Sequence, residues 1–166
     1  MRSVSPDRPT LDLAAVAGAV ALVFGFALDL GTKTYAIWHG GLGLVVYNDV
    51  HAGDFRRRVV MSVVAIAVTY ALADVARRRG VGRLWGAWIG AGLLVGGVMA
   101  NGVSHLIWSA GVPDFIHVYS LSPDVWNVAD FEIAWGLTGG MASVVAAAVY
   151  AYVRDHRRRP ATDARL

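Results

Sequence analysis

Apolar residues along the chain are grouped into four long blocks that are separated by more polar stretches. The blocks cover residues 11–28, 59–75, 84–108 and 131–153, with approximate ends. A helix needs about 20 apolar residues to cross the hydrocarbon core of a bilayer, and at least three of the blocks are long enough. The pattern therefore predicts an all-α polytopic membrane protein, with four transmembrane helices in a single membrane domain that spans residues 1–166.

The composition agrees with a membrane protein and excludes several kinds of chemistry. Hydrophobic residues make up 56% of the chain, whereas soluble domains average roughly 45–50%. There is no cysteine, which excludes disulfides, thiolate metal sites and cysteine nucleophiles. The net charge of +3 comes from arginine clusters that flank the apolar blocks. Membrane topology explains these clusters, and no nucleic-acid partner is expected.

The distribution of basic residues predicts the orientation in the membrane. Eleven of the 15 Lys and Arg residues lie before the first block, between the second and third blocks, or after the fourth. The positive-inside rule then places both termini and the tail 154–166 in the cytoplasm, and the loops 29–58 and 109–130 outside. The cluster Arg56–Arg58 does not follow this pattern. The first block is interpreted as an uncleaved helix, because it is about as long as a span and further spans follow it.

The first outer loop, 29–58, is predicted to contain β-structure. Residues 42–47 are rich in β-branched and aromatic types and follow two glycines, which favours a short strand. Trp38 and Tyr47 belong to the residue types that are enriched at membrane interfaces. We therefore expect a small extracytoplasmic sheet or flap between the first and second helices, lying on the outer membrane surface.

Two aspartates at the edges of apolar blocks are the strongest candidates for chemistry. Asp114 follows the third block, Asp130 precedes the fourth, and no Lys or Arg lies between them. Ionisable residues at membrane depth are expensive and are functional candidates by default. Two neighbouring carboxylates can share a proton and activate a water molecule. The alternative is that both are interfacial residues at helix ends, with Asp130 capping the fourth helix.

Other polar positions have two interpretations each. Asn101 lies inside the third block, where a hydrogen bond between helices is favoured over a place in an active site. Asp29 and Lys33 are four positions apart and can pair if the first helix continues. An ordinary interfacial ion pair is the favoured interpretation of these two residues. The five histidines have no HxxxH or HExxH spacing, so no metal site is expected.

Five blocks of sequence together carry a family resemblance. In chain order they are Asp29-Leu30-Gly31-Thr32-Lys33, Asn48, Gly96-Gly97-Val98-Met99-Ala100-Asn101, Val112-Pro113-Asp114-Phe115 and Trp126-Asn127-Val128-Ala129-Asp130. These blocks, with the four-block layout, resemble signal peptidase II, the lipoprotein signal peptidase family of four-helix membrane aspartyl proteases.

The resemblance implies a function and a set of site residues. Asp114 and Asp130 would be the catalytic pair, with no metal or organic cofactor. The residues implied to bind substrate or orient the site are Asn127, Asn101, Asn48, Asp29, Lys33 and Ala129. The partners would be lipid-modified prolipoproteins and membrane lipid. The protein would be a monomer in a bacterial-type plasma membrane, with its active site at the outer face.

The chain also departs from the family pattern near the implied site. Ser104-His105 stands where the family usually has an Asp-Arg pair, and Ala100 replaces a glycine. The family usually has the pattern Asn-x-Gly-x-x-Phe after its outer-loop asparagine, and here two extra residues separate Asn48 from Phe55. The stretch 101–114 is one residue longer than is typical of the family. Two other classes of function therefore remain open. One is a catalytically degenerate relative that binds lipid or lipoprotein, and the other is a small ion-coupled carrier that uses the same carboxylates.

Overall fold

The computed structural model describes residues 13–39, 45–48, 52–78, 84–117 and 124–158. Its four helices are α1, Leu13–His39; α2, Ala52–Arg78; α3, Trp85–Ile107; and α4, Val128–Arg158. Its four short strands are β1, Val46–Asn48; β2, Val112–Asp114; β3, Ile116–His117; and β4, Val125–Trp126. The mostly helical architecture predicted from the apolar pattern is confirmed.

Three of the helices can cross a membrane by length and composition, namely α1, α3 and α4. In α2 the apolar part, Val59–Val68, is shorter than a span. Only 22% of the apolar window of α1 and 17% of that of α4 are buried within the protein, as lipid-facing helices require. The protein is therefore a multi-pass membrane protein, and a fourth crossing by α2 stays a prediction.

The first helix is longer than predicted. It was expected to end at residue 28, but α1 continues to His39. The polar residues in its last turns are satisfied within the helix: the hydroxyl of Thr32 donates to the carbonyl of Leu28 at 2.9 Å, and that of Thr34 to Leu30 at 2.8 Å. A polar stretch can remain helical when its polar groups form their hydrogen bonds within the helix. The predicted loop 29–58 is therefore wrong over its first third.

The predicted boundaries of the second and fourth helices are also too narrow, whereas the third block, 84–108, agrees with α3 to within one residue at each end. The second helix begins at Ala52 and not at 59, and the fourth covers Val128–Arg158 in place of 131–153. The first residues of the predicted tail, 154–158, are thus helical. The predicted loop 109–130 contains three strands and the first turn of α4. Apolar blocks mark the lipid-facing length of a helix, whereas its hydrogen bonds continue into polar sequence.

The third helix packs closely against both α1 and α4. A Cβ atom at Gly96 would lie 2.7 Å from the carbonyl oxygen of Leu22 on α1, and one at Gly136 of α4 would lie 2.6 Å from the carbonyl oxygen of Gly90 on α3. Only glycine permits such backbone approach, as in other membrane helix pairs. The approach brings the polar residues of α1, α3 and α4 within hydrogen-bonding reach of one another.

A tight turn and two small sheets position the segment after α3. The backbone N–H of Gly111 donates to the carbonyl of Trp108 at 3.0 Å, and Gly111 has φ of 112°, a value that favours glycine. Strand β2 follows and pairs antiparallel with β1, and β3 pairs with β4. The predicted strand is thus found at Val46–Asn48, whereas residues 41–44 lie outside the described part. The position of this sheet relative to a membrane surface stays a prediction.

Candidate active site

Asp114 is the last residue of β2, and its side chain is only 4% exposed. One carboxylate oxygen accepts a hydrogen bond of 2.5 Å from the side-chain amide of Asn127. Burial raises the pKa of Asp114 to about 6, and the hydrogen bond from Asn127 offsets part of that rise. The nearby charge of Asp130 adds to the increase, while Lys33 and a hydrogen bond from Asn48 reduce it. Asp114 is therefore a carboxyl that can hold a proton close to neutral pH.

Asp130 lies in the first turn of α4. Its Oδ2 accepts the backbone N–H of Asn127 at 3.0 Å, and the side-chain oxygen of Asn127 accepts the N–H of Asp130 at 3.2 Å. This reciprocal arrangement is a capping box, with Asn127 as the N-cap residue. The capping interpretation of Asp130 is thus correct, but it occupies only one carboxylate oxygen. The other oxygen accepts a hydrogen bond of 3.3 Å from the amide of Asn101.

Asn127 connects the two aspartates. Its side-chain nitrogen binds Asp114, and its backbone nitrogen binds Asp130. Asn127 is 1% exposed, so this geometry is held by the surrounding protein. The two carboxylates also line the same cavity of about 310 Å³. The other residues that line the cavity include the apolar Val59, Met61, Val98, Val112 and Ile133 and the polar Ser62.

Asp29 and Lys33 form a fully buried ion pair. Lys33 Nζ lies 2.6 Å from Asp29 Oδ2, and both side chains are 0% exposed. The favoured interpretation from sequence, an ordinary interfacial ion pair, is therefore wrong, because α1 continues and α3 and α4 cover the pair. The second oxygen of Asp29 accepts the backbone N–H of Ala129 at 2.8 Å. The pair thus ties α1 to the first turn of α4.

Asn101 connects Lys33 to Asp130 through its side-chain amide. Lys33 Nζ donates to the amide oxygen of Asn101 at 2.6 Å, and the amide nitrogen of Asn101 donates to Asp130. Asn101 therefore makes hydrogen bonds between helices, as the favoured interpretation held, and it also lines the cavity of the aspartates. The remaining donor of Lys33 reaches the hydroxyl of Ser104 at 3.1 Å.

The substitution at Ser104 is accommodated without an unsatisfied charge. The hydroxyl of Ser104 is 0% exposed, accepts from Lys33 and donates to the carbonyl of Ala100 at 2.6 Å. Ala100 is also 0% exposed. The Ser104 position therefore faces Lys33, and a neutral hydroxyl completes its coordination here.

Asn48 reaches the site through the strand pairing. It lies opposite Val112 in the β1–β2 ladder and lines the cavity of the aspartates. A second cavity of about 630 Å³ shares Asn48, Asp114 and Asp130 with the first, and Tyr47 and Trp126 also line it. The structure thus brings all the site residues predicted from sequence to one end of the helix bundle.

Sequence reasoning did not single out Glu132. Its carboxyl group is buried at 6% exposure, and neither oxygen has a hydrogen-bond partner within the described part of the protein. Glu132 is the only glutamate of the chain and lies in the apolar fourth block. That isolated acid within a predicted span was the available signal.

Comparison with known proteins assigns the chain to a family. The model of signal peptidase (SPase) II matches residues 20–147. The matched range contains both aspartates, the buried ion pair and the two asparagines that connect them. Searches of curated proteins and of solved structures found no match. Because the match covers more than half of the sequence, the chain belongs to the signal peptidase II family.

Proposed function

We propose that the protein is an aspartic endopeptidase that removes signal peptides from lipid-modified prolipoproteins, with Asp114 and Asp130 as its catalytic pair. Membership of the family implies a lipoprotein signal peptidase-type function and protease activity. The observation that carries the assignment of residues is the position of Asn127, which holds one oxygen of each carboxyl at the same cavity.

The two carboxyl groups can act as the acid and the base of amide hydrolysis. Asp114, whose pKa is raised to about 6, starts as the acid, and Asp130 starts as the base. Asp130 takes a proton from water as the water oxygen bonds to the scissile carbonyl carbon, and Asp114 protonates the carbonyl oxygen. In the second step the C–N bond breaks, Asp130 returns its proton to the leaving nitrogen, and Asp114 takes a proton from a hydroxyl. The carboxyls thus end in their starting states.

The cavity shape supports a lipid-bearing substrate. Apolar side chains from α2, α3 and α4 line much of the cavity that holds the two carboxylates. An acyl chain placed there contributes about 0.8 kcal/mol for each buried CH₂. The side chain of Asn48, at the edge of both cavities, can donate to the substrate backbone beside the scissile bond.

The proposed orientation follows from the two ends of the bundle. The aspartates lie at the end where α1 and α3 finish and α4 begins, whereas Arg78 and the run Arg154–Arg158 lie where α2 and α4 finish. The positive-inside rule places the arginine-rich end in the cytoplasm. Both termini are then cytoplasmic, the active site faces outward, and the chain acts as a single membrane domain and as a monomer.

The function is tested with purified protein in lipid vesicles. A prolipoprotein with a diacylglyceryl-modified cysteine is expected to be cut just before that cysteine, as seen by mass spectrometry. The same precursor without the lipid is the control and is expected to remain uncut, because it lacks the binding energy of the acyl chains. Absence of cleavage of the lipidated precursor by folded protein would contradict the proposal.

The pH dependence of cleavage tests the role of Asp114. Because the pKa of Asp114 is raised to about 6, it is protonated below that pH and loses the proton above it. We expect kcat to fall as pH rises through this region, since two ionised carboxylates lack an acid.

A variant of Asn127 tests the same assignment. Since the amide of Asn127 lowers the pKa of Asp114, Asn127→Ser should move the fall in kcat to higher pH. Serine is also a good N-cap residue, so the variant retains the cap of α4. If the fall in kcat occurred at the same pH in the variant, Asp114 would not be the acid.

The catalytically degenerate alternative rests on the substitution at Ser104. It predicts binding of the lipidated precursor without cleavage, and cleavage only after Ser104→Asp and His105→Arg are introduced together. Cleavage by the unaltered chain would exclude it.

A further inference from the structure

Glu132 is a buried acid that the catalytic scheme does not use. It follows Asp130 by two positions on α4, and its side chain lies against α1. A Cβ atom at Gly25 would lie 3.0 Å from both the carboxyl carbon and one oxygen of Glu132. Gly25 is one turn before Asp29 on α1, and the charges of Asp29 and Lys33 act on Glu132. The absence of a side chain at Gly25 therefore makes the space that the carboxyl occupies.

The surroundings of Glu132 contain one cation and several acids. On α1 the charged neighbours are Asp29 and Lys33, and on α4 Asp130 is two positions away. The contact on α3 is with Gly97, where a Cβ atom would lie 3.2 Å from the Cβ of Glu132. Lys33 is the only lysine of the chain.

Lys33 has no donor left for Glu132. An ammonium group has three N–H donors, and those of Lys33 face Asp29, Asn101 and Ser104. Its charge also acts on Asp130 and Asp114. An ionised Glu132 would therefore be a further carboxylate around one ammonium in an apolar bundle. A buried charge without its own partner is strongly unfavourable.

The four acids differ in their hydrogen bonds. Asp29, Asp114 and Asp130 each accept at least one N–H group from the protein, whereas Glu132 accepts none within the described residues. Hydrogen bonds from donors stabilise the charged form of a carboxyl. Of these four acids, Glu132 is therefore the one whose protonated form is most favoured over its ionised form.

We propose that Glu132 keeps its proton and is neutral, and that it is a positioning residue for Asp130. Because a neutral Glu132 does not attract the ammonium of Lys33, that ammonium stays bound to Asp29 and Asn101. Asn101 in turn donates to Asp130. Ionisation of Glu132 would draw the ammonium toward the acid and loosen this connection. The positioning part of the inference rests on the proposed protease function.

The protonation state can be measured on the unaltered chain. The protein contains one glutamate and no glutamine, so a ¹³C label at the glutamate δ-carbon reports on Glu132 alone. At pH 6 we expect the NMR and infrared signals of a protonated carboxyl, whereas an ordinary glutamate, with a pKa of about 4.3, is ionised. The signal of an ionised carboxylate at pH 6 would overturn the proposal. This measurement requires no cleavage and is independent of the proposed function.

The positioning role is tested with Glu132→Gln, which keeps the shape and removes the titration. Once the wild type is seen to cleave, the variant is expected to keep kcat/KM within about threefold at pH 6. The ratio of its kcat to that of the wild type should rise between pH 6 and pH 9, because only the wild type can ionise at this position. Asp114 titrates in both proteins and cancels in the ratio. A loss of more than about tenfold at pH 6, or a ratio that does not change with pH, would overturn the proposal.

Discussion

Replacing Asp114 or Asp130 with asparagine is expected to abolish cleavage of a lipidated precursor while leaving the fold intact. Loss of a general acid or base lowers rates by roughly 10²–10⁴-fold, and both steps of the proposed reaction use both groups. Asparagine keeps an oxygen that can accept the amide of Asn127 at position 114, or its backbone N–H at position 130. The initial rate of precursor cleavage and the thermal unfolding temperature in micelles measure the two effects.

The matched control is the exposed acid Asp155, near the end of α4, whose side chain is 69% exposed. Asp155→Asn removes the same charge and is expected to leave both rate and stability unchanged. A variant at Asp114 or Asp130 that cleaves like the control would rule out the proposed pair. An inactive variant with an unchanged unfolding temperature would support it.

Removing Lys33 is expected to have the largest effect on stability. Lys33→Met leaves the carboxylate of Asp29 buried without its cation, and breaking a buried ion pair costs about 3–5 kcal/mol. Asp29→Asn in the same chain removes the stranded charge and keeps an acceptor for the N–H of Ala129. The double variant should therefore recover most of the lost free energy of unfolding, which chemical unfolding in micelles measures.

The chain supplies a control pair with the same spacing. Asp74 and Arg78 on α2 are also four positions apart, at 2.7 Å, but their side chains are 38% and 76% exposed. Solvent screens such pairs, and Arg78→Met is expected to change stability by about 1 kcal/mol or less. If Lys33→Met were as mild as Arg78→Met, the ion pair would not be the connection between α1 and α4 that we describe.

The departures of the structure from the sequence prediction have one physical origin. Hydropathy reports where a helix meets lipid, so it placed the third helix well but missed the ends of the first, second and fourth helices. The continuation of α1 to His39 depends on Asp29, Thr32 and Lys33, which are polar but satisfied by partners within the helix or on other helices. Periodicity cannot indicate those partners. The same reason explains why a buried pair was interpreted as an interfacial one.

Glu132 illustrates a different limit. A lone acid in an apolar block could be noticed from sequence, but its lack of a partner depends on how α1 and α4 face each other. Gly25 on α1 makes the space for its carboxyl, and nothing in the local sequence of α1 indicates that role.

By itself, the sequence determined the class of the protein, the family, and the residue types that the site would contain. These properties depend on local composition and short motifs, such as the blocks around Asp114 and Asp130, which can be recognised without knowing the fold. The tertiary structure alone decided which of those residues meet. Asp29 and Ala129 are 100 positions apart, and Asn127 joins Asp114 to Asp130 only because the turn at Gly111 and the cap of α4 bring them to one cavity. Contacts of that kind arise from helix packing, and chain order does not encode them locally.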